Sequence, residues 1–107
     1  MENSAIFSMV VERGDPCVMR LVGELDLAGA PQVRARFADL DGDVDVDCSG
    51  LHFIDASGLG VLAAARTACD DRGAKLVLVD PSPFLRRLLQ LTDLDAVFHV
   101  RATPSAS

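Results

Sequence analysis

Residues 44–61 read Val44-Asp45-Val46-Asp47-Cys48-Ser49-Gly50-Leu51-His52-Phe53-Ile54-Asp55-Ala56-Ser57-Gly58-Leu59-Gly60-Val61. Their first five residues alternate strictly. Val44, Val46 and Cys48 point one way and Asp45 and Asp47 the other, as in a strand with one wet, uncovered face. From Ser57 the spacing of Leu59, Leu62 and Cys69 becomes helical, and Arg72-Gly73 supplies a stop. A strand that feeds a helix is half of a β-α-β unit, so the segment between them, Ser49 to Ala56, is expected to be a loop at the carboxyl end of a strand. Open α/β sheets place ligand and partner sites at that edge.

The same alternation extends outward in both directions. Toward the N-terminus, Ile6–Val11 and Cys17–Val22 read as strands joined by the turn Gly14-Asp15-Pro16, and the pattern predicts a hairpin. Gly23-Glu24-Leu25-Asp26 follows as a connecting loop. Pro31 then opens a helix whose Val33, Phe37 and Leu40 share one face, ending at Asp41-Gly42-Asp43. Toward the C-terminus, Lys75–Val79 has strand length and composition. Ser82-Pro83 is a helix start, with a capping hydroxyl and a proline in the first turn. The spacing predicts that this third helix buries Phe84, Leu88 and Leu91 and leaves Arg86 and Arg87 in water. Ala96–Val100 reads as a short final strand. The expected class is α/β, with a mixed, mostly parallel sheet of about five strands, an N-terminal antiparallel hairpin and three main helices.

The chain's 107 residues fit one domain and are too few for two independent cores, and half of them are hydrophobic. A formal charge of −6 argues against a protein that reads a nucleic-acid backbone or docks on an anionic membrane. The longest apolar stretch, Leu59–Ala65, is too short to span a membrane, and Met1-Glu2-Asn3-Ser4 lacks a signal core, so a cytoplasmic location is expected. Cys17, Cys48 and Cys69 show no CxxC pair and no zinc-ligand spacing. Each sits in an apolar run, where a cysteine behaves as a small buried hydrophobe. No metal or cofactor motif is present: the phosphate-cradling G-x-x-x-x-G-K-[ST], H-E-x-x-H and G-x-S-x-G patterns are all missing.

Asp55 and Ser57 stand where a helix N-terminus leaves backbone amides unpaired. One reading makes either residue a simple cap, worth about 1 kcal/mol. A second makes Ser57 a phosphate acceptor, because the helix end tolerates the about −1.5 to −2 charges of a phosphoserine. Gly58 and Gly60 would then leave room for another protein to approach the hydroxyl. A catalytic serine would need a histidine base, and nothing aligns His52 or His99 with Ser57. An enzyme is therefore not expected, while cap and acceptor both stand.

Phe53-Ile54-Asp55-Ala56-Ser57-Gly58-Leu59-Gly60-Val61 resembles the segment of STAS-domain anti-sigma factor antagonists in which Asp-Ser/Thr-Ser-Gly-Leu carries the phosphoserine. Gly23-Glu24-Leu25-Asp26-Leu27 is similar to the family's G-E-L-D loop, and Ser82–Leu89 gives a looser third match. Order and spacing agree over roughly residues 5 to 100. The resemblance implies a STAS-like domain over residues 1–101 followed by a flexible tail, 102–107. It implies an unphosphorylated protein that docks on an anti-sigma factor. That partner is also an ATP-dependent serine kinase of the histidine-kinase-like ATPase fold. Docking frees a sigma factor, phosphorylation of Ser57 ends the docking, and a serine phosphatase resets the switch. It further implies partner contacts at Glu24, Asp26, Asp55, Ala56, Gly58 and Leu59. A STAS module of a transporter or other signalling complex, without a phosphoswitch, is the alternative. Three positions depart from the pattern. Ala56 replaces a hydroxyl residue and leaves Ser57 as the sole acceptor. Asp93 stands where relatives often have glycine. Asp45 adds charge to a strand that is usually more apolar.

Overall fold

The computed structural model describes residues 7–104. Its elements are β1 (Ser8–Glu12), β2 (Cys17–Leu25), α1 (Ala30–Phe37), β3 (Val44–Ile54), α2 (Ala56–Asp71), β4 (Leu76–Val79), α3 (Pro83–Leu91) and β5 (His99–Arg101). The five strands lie side by side in chain order, β1-β2-β3-β4-β5. β1 and β2 form an antiparallel hairpin in which Val10 faces Arg20. All later neighbours are parallel, because a helix carries the chain back after each of β2, β3 and β4. The α/β class, the mixed sheet, the hairpin and the three helices are those expected from the pattern. Ile6, expected to begin the first strand, lies outside the described residues.

The core is continuous. Met19 and Leu21 of β2, Val33 of α1, Val44, Val46 and Cys48 of β3, Leu62 and Cys69 of α2, and Leu78 of β4 have no exposed surface. All three cysteines are free and buried. Burial, with the nearby Asp47 and Asp80 carboxylates adding to it, pushes the Cys48 thiol up to about 12. It packs in the core, and a buried thiol of raised pKa is a poor nucleophile.

Four expectations about the elements need correction. Gly23-Glu24-Leu25 is strand, not loop: Gly23 takes φ +97° at a register irregularity inside β2, so the glycine makes a bulge instead of a stop. β3 likewise runs on to Ile54, pairing Gly50, Leu51, Phe53 and Ile54 with β2. The expected loop thus shrinks to Asp55. In α3 the buried residues are Leu85 and Leu89; Leu88 is half-buried against the core as expected, while Phe84 and Leu91 are 47% and 69% exposed. The apolar sequence Phe-Leu-Arg-Arg-Leu-Leu-Gln-Leu offers two helical stripes one residue apart, and packing selects the second. The final strand is His99–Arg101, because the amides of Val97 and Phe98 bond to Leu94 in a helical turn.

Asp45, expected in water with Asp47, is only 9% exposed. The Arg101 guanidinium, reaching over β4 from β5, donates to its Oδ2 at 2.6 Å. The departure at Asp93 leaves the helix end intact. Asp93 adopts the left-handed conformation at φ +61°, and the Leu94 amide closes on the Leu89 carbonyl at 2.8 Å. Aspartate fills a glycine-like position at some strain. At the start of the expected tail, Thr103 donates its amide and hydroxyl to Asp80 at 2.7 and 2.5 Å. Among the described residues no helix is long and apolar enough to cross a membrane.

Candidate functional site

The register of β2 on β3 builds the site. Leu25 pairs with Ile54, so the chain leaves both strands at the same height, Asp26 from one and Asp55 from the other. The Asp55 amide bonds to the Leu25 carbonyl at 3.2 Å and fixes the two exits together.

Asp55 is the N-cap of α2. Its backbone is extended, and its Oδ1 accepts the Gly58 amide at 3.0 Å. Between the two capping candidates the structure therefore chooses Asp55, which leaves the Ser57 side chain without that task. Ser57 is the second residue of α2 and half-buried. Its hydroxyl has no hydrogen-bond partner among the described residues, and the amides of Ala56 and Ser57 are unpaired there too. No histidine is paired with it, so no nucleophile–base couple is assembled.

Asp26 holds the turn that leads into α1, whose N-cap position is Gly29. Its Oδ1 accepts the Ala28 and Gly29 amides at 3.0 and 3.3 Å, and its carbonyl accepts those of Gly29 and Ala30. The Asp26 carboxylate thus shapes the turn into α1, as Asp55 does for α2. Glu24, half-buried, lies opposite Phe53 across β2 and β3.

Glu24, Asp26, Asp55, Ala56 and Ser57 form the accessible part of the site. Gly58 and Leu59 lie buried beneath it. A Cβ on Gly58 would sit 2.5 Å from the Leu25 carbonyl and 2.7 Å from Ile54 Cγ1, so this glycine lets α2 touch the strand exits. That is a packing role, in place of the access for another protein expected from sequence. Gly60 does have open space around it, with nothing within 4 Å of a Cβ built there.

Ser57 opens on a cleft of about 370 Å³ between the starts of α1 and α2. Leu27, Pro31 and Arg34 line one side; Ala56, Ser57 and Gly60 line the other. Past Arg34 and Val61 it continues into an apolar groove of about 210 Å³ walled by Phe37, Ala64 and Ala68. Reading the sequence for core faces overlooked Leu27, Arg34 and this cleft. Pro31 and Arg34, three residues apart, belong to the stripe of α1 next to its core face, and only the packing of α1 on α2 shows what they meet. A second overlooked feature is the stack of Phe53 on Phe84, with centroids 5.8 Å apart and both rings 40% or more exposed. Among the described residues no group of three or more His, Cys, Asp or Glu side chains is placed to hold a metal ion.

Comparison with known proteins agrees with this architecture. The family model described as "Mlab, STAS domain" matches residues 8–101. An anti-sigma F factor antagonist of Lysinibacillus sphaericus is 30% identical over 93 residues, covering 82% of this chain and 80% of that protein. The crystal structure of an anti-sigma factor antagonist from Mycobacterium paratuberculosis superposes with a TM-score of 0.79 at 27% identity, over 94% of this chain and 88% of that one. The Bacillus cell fate determinant SpoIIAA in its phosphorylated form shares the fold, with a TM-score of 0.73 at 23% identity over 94% and 93% of the two chains. With the sheet order, the Asp55-capped start of α2 and the Ser57 beside it in place, this chain belongs to the STAS-domain family of anti-sigma factor antagonists.

Proposed function

We propose that this protein is a cytoplasmic, non-catalytic switch. In its unphosphorylated form it binds an anti-sigma factor that is also a serine kinase, and so releases a sigma factor. The kinase transfers the γ-phosphoryl group of ATP to Ser57. An Oγ–P bond forms, the bond to the β-phosphate oxygen breaks, the hydroxyl proton is released and ADP leaves. A serine phosphatase hydrolyses the phosphoester and restores the binding form.

The observation that carries this reading is the Ser57 hydroxyl. It is accessible and unbonded among the described residues, because Asp55 has taken over the capping of α2. A phosphate there is compatible with the protein's own fold, since the helix end favours negative charge. It is incompatible with a close interface, where it adds bulk and charge beside Asp55 and Asp26. Loss of two charge-sensitive contacts, at about 1.4 kcal/mol per factor of ten, weakens binding by about a hundredfold.

Incubation with candidate anti-sigma kinases and ATP, then mass spectrometry of the Ser57 peptide, tests the acceptor. Titration calorimetry tests the switch. Ser57→Ala is expected to bind as the wild type does and to resist phosphorylation, and Ser57→Asp to lose about two orders of magnitude in affinity. Equal binding by the two variants sinks the model.

A further inference from the structure

We propose that Arg34 is the internal receptor for the phosphate on Ser57, joining α1 to α2 by an ion pair that exists only in the phosphorylated protein. The inference rests on the reading of Ser57 as the acceptor and adds to it a residue on a different helix. Of the residues that line the cleft, Ser57 is the one hydroxyl and Arg34 the one charged side chain; the rest are apolar or glycine. The two face a common space from opposite walls.

Arg34 is also available. Arg20, Arg66 and Arg101 each hold a carboxylate, and Arg72 is bonded to the Gly42 carbonyl and lies over the Phe37 ring. Arg34 is exposed, and its guanidinium has no ion-pair or hydrogen-bond partner among the described residues. The acidic groups at the helix starts, Asp26 and Asp55, hold backbone amides, and neither is paired with Arg34 among the described residues. A guanidinium matches phosphate oxygens with two parallel donors, and phosphate–arginine pairs are stronger than ordinary surface ion pairs. Phosphorylation then has two effects on the docking surface. It adds charge at Ser57, and it withdraws Arg34 from any acidic group of the partner.

The test uses the full chain with phosphoserine installed at position 57 during translation, which needs no kinase. Wild type, R34K and R34Q are each prepared with serine and with phosphoserine. In the wild type the phosphoserine is expected to shift the Arg34 side-chain Nε–H resonance and slow its exchange with solvent. The change in Tm on phosphorylation is expected to be less favourable in R34Q than in wild type by roughly 4 °C, with R34K between them. R34Q with serine should melt with the wild type, since the side chain is exposed. An unmoved Arg34 resonance, or an equal Tm change in R34Q, overturns the proposal. Either result leaves the Ser57 assignment untouched, because that assignment stands or falls on the kinase reaction.

Discussion

Two glycines in one turn of helix do opposite things. Gly58 is where α2 meets the carbonyl of Leu25, and an added methyl has no space. Gly58→Ala is therefore expected to destabilise the fold by about 1–3 kcal/mol through overpacking. Gly60 is helical, exposed and surrounded by open space. Gly60→Ala should stabilise by about 0.5–1 kcal/mol, because alanine loses less backbone entropy on folding. Urea unfolding of the two variants checks both signs, and equal effects would refute the assignment. The pair also separates stability from docking. Gly60 lines the Ser57 cleft, so its alanine variant should fold better and still bind a partner there less well. From sequence the two glycines were equivalent, since both lie in one Gly-x-Gly. The Leu25 carbonyl, contributed by a strand more than thirty residues earlier, distinguishes them.

The helices show how far local pattern reaches. Asp55 and Ser82 both cap as their side-chain chemistry dictates, Ser82 accepting the Leu85 amide at 3.1 Å. Gly73, at φ +74°, follows the end of α2 as expected. These signals are local, so they are legible in the chain. The buried stripe of α3 was not, because Phe84, Leu88 and Leu91 have the same helical spacing as the pair that packing chose. Truncation should tell the stripes apart. Leu89→Ala, at a residue 1% exposed, is expected to destabilise by about 2–5 kcal/mol. Leu91→Ala, at 69% exposed, should change stability by less than about 0.5 kcal/mol. Comparable losses in chemical denaturation would restore the original stripe. The freed Phe84 instead stacks on Phe53, two residues before Asp55, and gives the site an aromatic neighbour.

Across the whole molecule the open face of the sheet is tied by charge. Arg20 of β2 bridges Glu12 of β1 at 3.5 Å and Asp47 of β3 at 3.1 Å. Farther along, Arg101 of β5 reaches Asp45. Burial alone would raise the Asp47 carboxyl. The bonds from Ser49 and the Arg20 guanidinium outweigh it and hold the group below its ordinary 3.8. A carboxyl whose folded pKa is depressed stabilises the fold above its unfolded pKa, and that contribution fades as pH falls toward the folded value. Asp47→Asn is thus expected to be less stable than wild type at neutral pH, with the gap closing below about pH 4. Denaturation midpoints at several pH values check this, and a gap that persists at pH 2 contradicts it. The effect stays modest, because Arg20 is partly exposed and salt screens it.

The sequence alone determined the class, the element order, the hairpin, the Ser82 cap and the identity of the sole serine in the motif. All of these follow from period, propensity and short-range hydrogen bonding, which depend on neighbours a few residues away. Tertiary structure decided what the chain's neighbours in space decide. It carried β2 and β3 past the glycines that read as stops, because pairing between strands satisfies backbone groups that a loop would expose. It buried Asp45 under an arginine 56 residues later. It also set α1 against α2, so that Ser57 faces Arg34 across a cleft neither helix has alone. The serine was legible because its chemistry is local; its surroundings were not, because they belong to the packing of two helices.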